Sequence, residues 1–174
     1  MKFRLQIITR VAVFAALVFI FSYGSVFLAN VNASFFIVFA AGFLWGVGPG
    51  IGVGLIGFFL WSMFNPFGPV VFPLLLSQLI GISISGILGA LFAKIINPGK
   101  YTARDGVWLV LAGFLSGLTY HIFVDIVDAW LYQPFWPRLI GGMVFSLITI
   151  VSNCIIFPLF YPALAFLHAR EMKR

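Results

Sequence analysis

One stretch of this chain, GLTYHIFVDIVDAW at residues 117–130, is unusually rich in side chains that could do chemistry. It holds one of the two histidines and two of the four acidic residues, although only 8% of the chain is charged. A histidine and a carboxylate four residues apart could exchange a proton, share a metal ion or hold a polar solute. The surroundings that the rest of the chain supplies decide among these uses.

Composition predicts that those surroundings are a lipid bilayer. The chain is 63% hydrophobic with 22 phenylalanines, and its mean hydropathy is +1.15. Its apolar runs are continuous, whereas the strands of a membrane barrel alternate between apolar and polar residues. We therefore predict an all-α integral membrane protein, a six-transmembrane-helix bundle that forms a single membrane domain over residues 1–174.

Glycine and proline breaks separate the six predicted helices. Short connections such as WGVGPG and YQPFWPR are typical of turns between packed helices. The helices are predicted at residues 5–23, 34–46, 50–64, 69–95, 107–132 and 138–167.

Basic residues predict the orientation of the bundle. With six spans, nine of the ten lysines and arginines fall on one side of the membrane, and Arg138 alone falls on the other. Because lysine and arginine concentrate on the cytoplasmic side, the N and C termini are both expected to be cytoplasmic. The nine residues are Lys2, Arg4, Arg10, Lys94, Lys100, Arg104, Arg170, Lys173 and Arg174.

The ionisable residues of the fifth predicted helix share one face. At 100° per residue, His121, Asp125 and Asp128 lie within about 60° of one another. Counting about 1.5 Å per residue from the cytoplasmic end places them in the outer half of the helix. Because a carboxylate that faces lipid costs several kcal/mol, the face should turn towards the bundle interior.

Other helices and loops should complete an externally open polar pocket. Helices four and six begin on the outer side and pass the face formed by His121, Asp125 and Asp128, which we call the polar stripe. The loop after helix three lies at the same level, and an aromatic ring there could stack on a planar solute. We predict a substrate-binding site formed by His121, Asp125, Asp128, Gln78, Asn153, Arg138, Asn65 and Trp61. Two aspartates against one arginine favour a solute with hydrogen-bond donors or positive charge.

Other uses of the stripe stay open. Asp125 could pair with His121 and Asp128 with Arg138, so that the set merely cross-links two helices. A metal site lacks further histidines nearby, and an enzyme lacks an identifiable nucleophile, so we expect no metal, no cofactor and no catalytic residue.

The first predicted helix contains a patch of small side chains. Ala12 and Ala16 lie four residues apart in RVAVFAALVFIFSY, so a partner helix could approach closely there. In length, span count, orientation and this alanine pair, the whole chain resembles the S components of energy-coupling factor (ECF) transporters. Those are substrate-binding subunits of prokaryotic importers for vitamins and similar micronutrients.

The resemblance implies a function and partners. An S component resides in the prokaryotic plasma membrane, captures a micronutrient from outside, and docks through its first helix on a transmembrane coupling subunit with two ATPase subunits. Ala12 and Ala16 would then be partner-docking residues. The alternative is a scaffold of the cell-elongation (rod-shape) machinery, which would bind no solute and would need no ATPase partner.

Overall fold

Helices are the only regular secondary structure in the described part of the chain, and short turns and loops join them. A computed structural model describes residues 2–28, 30–99 and 101–173, with side chains from Leu5 onwards. These residues form no strand and six helices, which are α1 (Lys2–Gly24), α2 (Ser34–Trp45), α3 (Val47–Phe64), α4 (Phe72–Phe92), α5 (Ala103–Leu131) and α6 (Phe135–Glu171). The prediction of an all-α protein is confirmed.

Five of these helices are long and apolar enough to cross a membrane. The chain is thus a multi-pass helical membrane protein. The shorter α2 has 12 residues and rises about 18 Å, less than the roughly 30 Å of the hydrocarbon layer. Of the basic residues that predict orientation, Lys100, Arg174 and the side chains of Lys2 and Arg4 lie outside the described residues.

The helix ends lie close to their predicted positions. The largest differences are four residues, because α5 begins at Ala103 rather than 107 and α6 ends at Glu171 rather than 167. The early start of α5 comes from a capping box, in which Thr102 and Asp105 satisfy each other's backbone amides. In the last turn of α6, Glu171 forms an ion pair with Arg10 of α1.

Helix α2 lies at the centre of the bundle. It contacts all five other helices, and nine of its twelve residues are buried. Among these, Phe35 and Phe39 are almost completely enclosed. Because other helices surround it, α2 does not need the length of a helix that faces lipid along its whole course.

Glycines let three helix backbones touch. A Cβ atom on Gly86 of α4 would lie 2.5 Å from the carbonyl carbon of Gly50 in α3, and one on Gly50 would lie 2.8 Å from the Cα of Gly42 in α2. Neighbouring backbones at this distance leave no room for any side chain. The helices α2, α3 and α4 therefore form one tightly packed unit. The turn that joins α2 to α3 is a single residue, Gly46, whose φ of 91° favours glycine.

The helices α5 and α6 also pack closely. A Cβ atom on Gly113 would overlap the backbone of Asn153, and one on Gly117 would lie 3.1 Å from the Cα of Ile150. This contact brings the polar residues of α6 beside the ionisable face of α5. The geometry of the candidate site depends on it.

We predict that Gly86→Ala destabilises the folded protein, because the new methyl group meets backbone atoms of α3 that cannot rotate away. A loss of about 1–3 kcal/mol in the free energy of unfolding is expected. The measurement is thermal unfolding in detergent, followed by circular dichroism. Gly142→Ala is the matched control, since nothing lies within 4 Å of its added Cβ. An equal unfolding midpoint for the two variants would contradict the close helix contact.

Candidate functional site

The predicted stripe of α5 meets α6 in a closed hydrogen-bonded group. Nδ1 of His121 lies 3.2 Å from Oδ1 of Asp125 and 2.9 Å from the hydroxyl of Ser146. The Ser146 hydroxyl donates to the other oxygen of Asp125. The side chains of His121 and Asp125 are 13% and 20% exposed. Both carboxylate oxygens of Asp125 therefore have partners within the protein.

Asp128 pairs with Arg138 nearer the turn between α5 and α6. Nε of the arginine lies 2.6 Å from Oδ2 and Nη2 lies 3.1 Å from Oδ1, so the pair is bidentate. The guanidinium also lies 5.3 Å from the ring centre of Tyr132. The Asp128 and Arg138 side chains are 24% and 51% exposed. This pair ties α5 to the start of α6.

A cavity of about 180 Å³ lies beside His121. Four sequence regions contribute to it: the α1–α2 loop and the start of α2, the second half of α3, the middle of α5, and α6. Its lining consists of Ser25, Asn30, Asn32, Phe35, Phe58, Trp61, Tyr120, His121, Val124 and Thr149. Asp125 and Ser146 are not among these residues.

The position of Asp125 fixes the tautomer of His121. A carboxylate oxygen can only accept, so Nδ1 carries the proton and Nε2 of the neutral imidazole is a bare acceptor. Nε2 is buried and has no hydrogen-bond partner among the described residues. His121 lines the cavity, and its Nδ1 bonds Asp125 and Ser146, so Nε2 is the ring nitrogen that is left for a further hydrogen bond.

Packed aromatic rings form one wall of the cavity. The ring centre of Tyr120 lies 5.1 Å from that of Phe35 and 5.5 Å from that of Phe58, and both contacts are edge-to-face. Trp61 adds a fourth ring. Close packing of large rings holds the shape of this wall.

The loop between α1 and α2 covers the cavity. The carbonyl of Asn30, which has a φ of 68°, accepts a hydrogen bond from Thr149 of α6 at 3.2 Å. The Asn32 side chain accepts from the backbone amide of Ser34 at 2.9 Å. Short polar contacts therefore attach the loop at both of its asparagines.

Other predicted site residues lie apart from this cavity. Asn65, Gln78 and Trp61 line a neighbouring cavity of about 300 Å³, and Trp61 borders both. Gln78 accepts a hydrogen bond from Ser62 at 2.6 Å. Asn65 shapes its own loop, because its side chain bonds three backbone groups of residues 62–68. Asp128 and Arg138 line a third cavity, of about 390 Å³.

Asn153 is fully buried in the α5–α6 interface and lines none of these three cavities. Its amide nitrogen lies 3.6 Å from the position of a Cβ on Gly117. Neither amide atom has a hydrogen-bond partner among the described residues. The eight predicted site residues thus do not form one site. Six of them line one or more of three cavities, Asp125 belongs to the hydrogen-bonded group with His121 and Ser146, and Asn153 is buried between α5 and α6.

Sequence reasoning missed several lining residues. Tyr120 directly precedes His121 on α5 and Val124 follows it by about one turn, so helical periodicity could have placed them near it. Phe35 and Phe58 have no such signal, because they are two among 22 phenylalanines. Only the packing of α2 and α3 selects them.

The group around His121 does not have the geometry of a nucleophilic triad. In a triad, the serine and the carboxylate bond opposite nitrogens of the imidazole. Here, Ser146 and Asp125 both bond Nδ1. Among residues 2–28, 30–99 and 101–173, no group of three or more histidine, cysteine or acidic side chains could hold a metal ion.

Ala12 and Ala16 lie on the exposed face of α1. The opposite face packs inward through Ala15 and Val18, which are 1% and 0% exposed. The alanine pair is therefore available to a partner in the membrane.

No protein-family profile, curated protein or solved structure matches this chain. The functional argument therefore rests on the residues and geometry of the chain itself.

We predict that neutral His121 carries its proton on Nδ1, because Asp125 accepts it there. Nitrogen-15 NMR of histidine-labelled protein at mildly alkaline pH should show a protonated Nδ1 and an unprotonated Nε2. His168→Gln removes the signals of the other histidine and serves as the control for assignment. A proton on Nε2 in the neutral ring would contradict the geometry.

We predict that Asn153→Leu raises the unfolding midpoint. Leucine keeps the branched shape of asparagine but removes a buried amide that has no described partner, so a gain of about 1–2 kcal/mol is expected. Thermal unfolding in detergent measures it, and Ser83→Ala in α4 is the control for a polar side chain that is bonded within its own helix. A lower midpoint for Asn153→Leu would show that the amide is hydrogen-bonded in the folded protein.

Proposed function

We propose that this chain is the substrate-binding membrane subunit of an ECF-type importer in a prokaryotic plasma membrane. It captures a vitamin or similar micronutrient from outside and docks on a coupling subunit that carries two ATPases. The proposal includes six membrane crossings with both termini in the cytoplasm. Its α5–α6 turn then faces the outside.

The cavity beside His121 is the observation that carries the proposal. It is concave, it lies near the end of the bundle that is proposed to face outside, and it combines aromatic walls with a histidine that has one unpartnered ring nitrogen. Small-molecule sites are concave and mostly apolar, with a few converging polar groups. A scaffold of the cell-elongation machinery needs no such cavity.

The arrangement of α1 supports the docking step. The exposed alanines leave a flat patch, and small side chains allow close approach of a partner helix within the membrane. The described basic residues Lys94, Arg104, Arg170 and Lys173 lie in the segments that are proposed to face the cytoplasm. The patch lies near the middle of α1, since Ala12 is the eleventh of its 23 residues.

We predict that Ala12→Trp and Ala16→Trp block docking without blocking solute capture, because each indole group fills the flat patch. Affinity purification from the native host should recover the coupling and ATPase subunits with the wild type, and about tenfold less of them with either variant. Ile20→Trp is the matched control, since it lies on the same helix and is 59% exposed.

Native mass spectrometry of the same preparations reports on solute capture. A small molecule should remain bound to the wild type and to all three variants. Recovery of coupling subunits with the alanine variants at the wild-type level would refute the docking patch. Purified protein with neither a bound solute nor ATPase partners would refute the importer and favour the scaffold.

A further inference from the structure

The charge of the cavity lining limits what the cavity can hold. No lysine, arginine, aspartate or glutamate lines it, and His121 is its one ionisable polar group apart from the Tyr120 phenol. The nearest carboxylate of the stripe, Asp125, is occupied by His121 and Ser146. An ionised solute would lose its hydration without gaining an opposite charge, which is unfavourable. The cavity therefore suits an uncharged guest.

Volume sets a second limit. An apolar cavity of about 150 Å³ holds benzene, and the cavity beside His121 measures about 180 Å³. It has room for one ring with one or two small substituents. A three-ring system would need the covering loop to be displaced.

The shape and polarity of the walls indicate a flat guest. Phe35, Phe58 and Tyr120 form a packed set of rings, and Trp61 borders the same space. Aromatic faces favour offset or edge contacts with another ring. The asparagines of the covering loop offer polar groups at the rim.

His121 determines the polar contact. Its Nε2 is an acceptor without a described partner, and leaving such a buried atom unpaired destabilises the protein. A guest that donates an N–H or O–H group to Nε2 removes that destabilisation. Since Nε2 is buried from solvent, the guest can reach it only when a side chain or the covering loop shifts.

We infer that the solute is an uncharged, single-ring heterocycle that donates a hydrogen bond to Nε2 of His121. This inference rests on the proposed function and narrows its substrate class. The sequence suggested a solute with hydrogen-bond donors or positive charge; the inference keeps the donors and drops the positive charge, because both aspartates are paired within the protein.

Isothermal titration with defined probes tests the substrate class. The single-ring probes are cytosine, nicotinamide and 4-amino-5-hydroxymethyl-2-methylpyrimidine. Thiamine carries the same aminopyrimidine ring together with a cationic thiazolium ring, and riboflavin has three fused rings. We expect at least one single-ring probe to bind more tightly than both larger compounds. Tighter binding of thiamine or riboflavin, or no binding of any single-ring probe, would overturn the inference.

His121→Phe tests the polar contact. It keeps a ring at this position and removes the acceptor, so the affinity for the single-ring probe should fall by about tenfold or more. Ser83→Ala is the control variant, because its hydroxyl bonds Leu79 within α4 and does not line the cavity. An unchanged affinity in His121→Phe would overturn the contact.

A measurement on the wild type tests the hydrogen bond to Nε2 without a substitution, so misfolding of a variant cannot affect its result. Addition of the bound probe should shift the nitrogen-15 resonance of Nε2 in the direction of a hydrogen-bonded acceptor, and should leave Nδ1 protonated. A resonance that does not move would count against the contact independently of any substitution.

Mass spectrometry of protein purified from its host separates the two proposals. A co-purified solute with one uncharged ring supports both. A co-purified charged or multi-ring vitamin would overturn the inference and leave the importer standing. The absence of any bound solute, together with failure of every probe, would overturn both.

Discussion

The lipid environment imposes the constraint on which the rest of the structure depends: a carboxylate within the bundle must find its partners in the protein. Asp125 finds them in His121 of its own helix and Ser146 of α6. That requirement aligns α5 with α6, and the glycines at positions 113 and 117 let the two backbones approach closely enough to meet it. The same contact engages Nδ1 of His121, so the solvation of one charge decides which ring nitrogen is left without a partner among the described residues.

The bundle packs by two kinds of contact. Glycines bring α2, α3 and α4 into backbone contact around Gly42, Gly50 and Gly86. Beside the α1–α2 loop, the rings of Phe35 and Phe58 meet Tyr120 edge to face and line the cavity. The loop borders the same cavity, and Thr149 of α6 tethers it.

The polar residues of α6 show which conclusions residue spacing can and cannot support. Ser146, Thr149 and Asn153 share one face and are equivalent by spacing. In the folded protein, Ser146 completes the Asp125 group, Thr149 holds the covering loop, and Asn153 has no partner among the described residues. Spacing alone places them on one face of α6, but their different roles depend on the height at which each meets another element.

The sequence by itself determined the helical membrane fold, the positions of the helix ends to within a few residues and the shared face of His121, Asp125 and Asp128, because these follow from hydropathy, glycine and proline breaks and the 3.6-residue period. Only the tertiary structure decided that Asp125 and Asp128 both have partners within the protein. It also decided that Asn65 and Gln78 line a second cavity, and that Phe35 and Tyr120 line the first. Pairing and cavity lining depend on distances between residues far apart in the chain, and local periodicity carries no information about those distances.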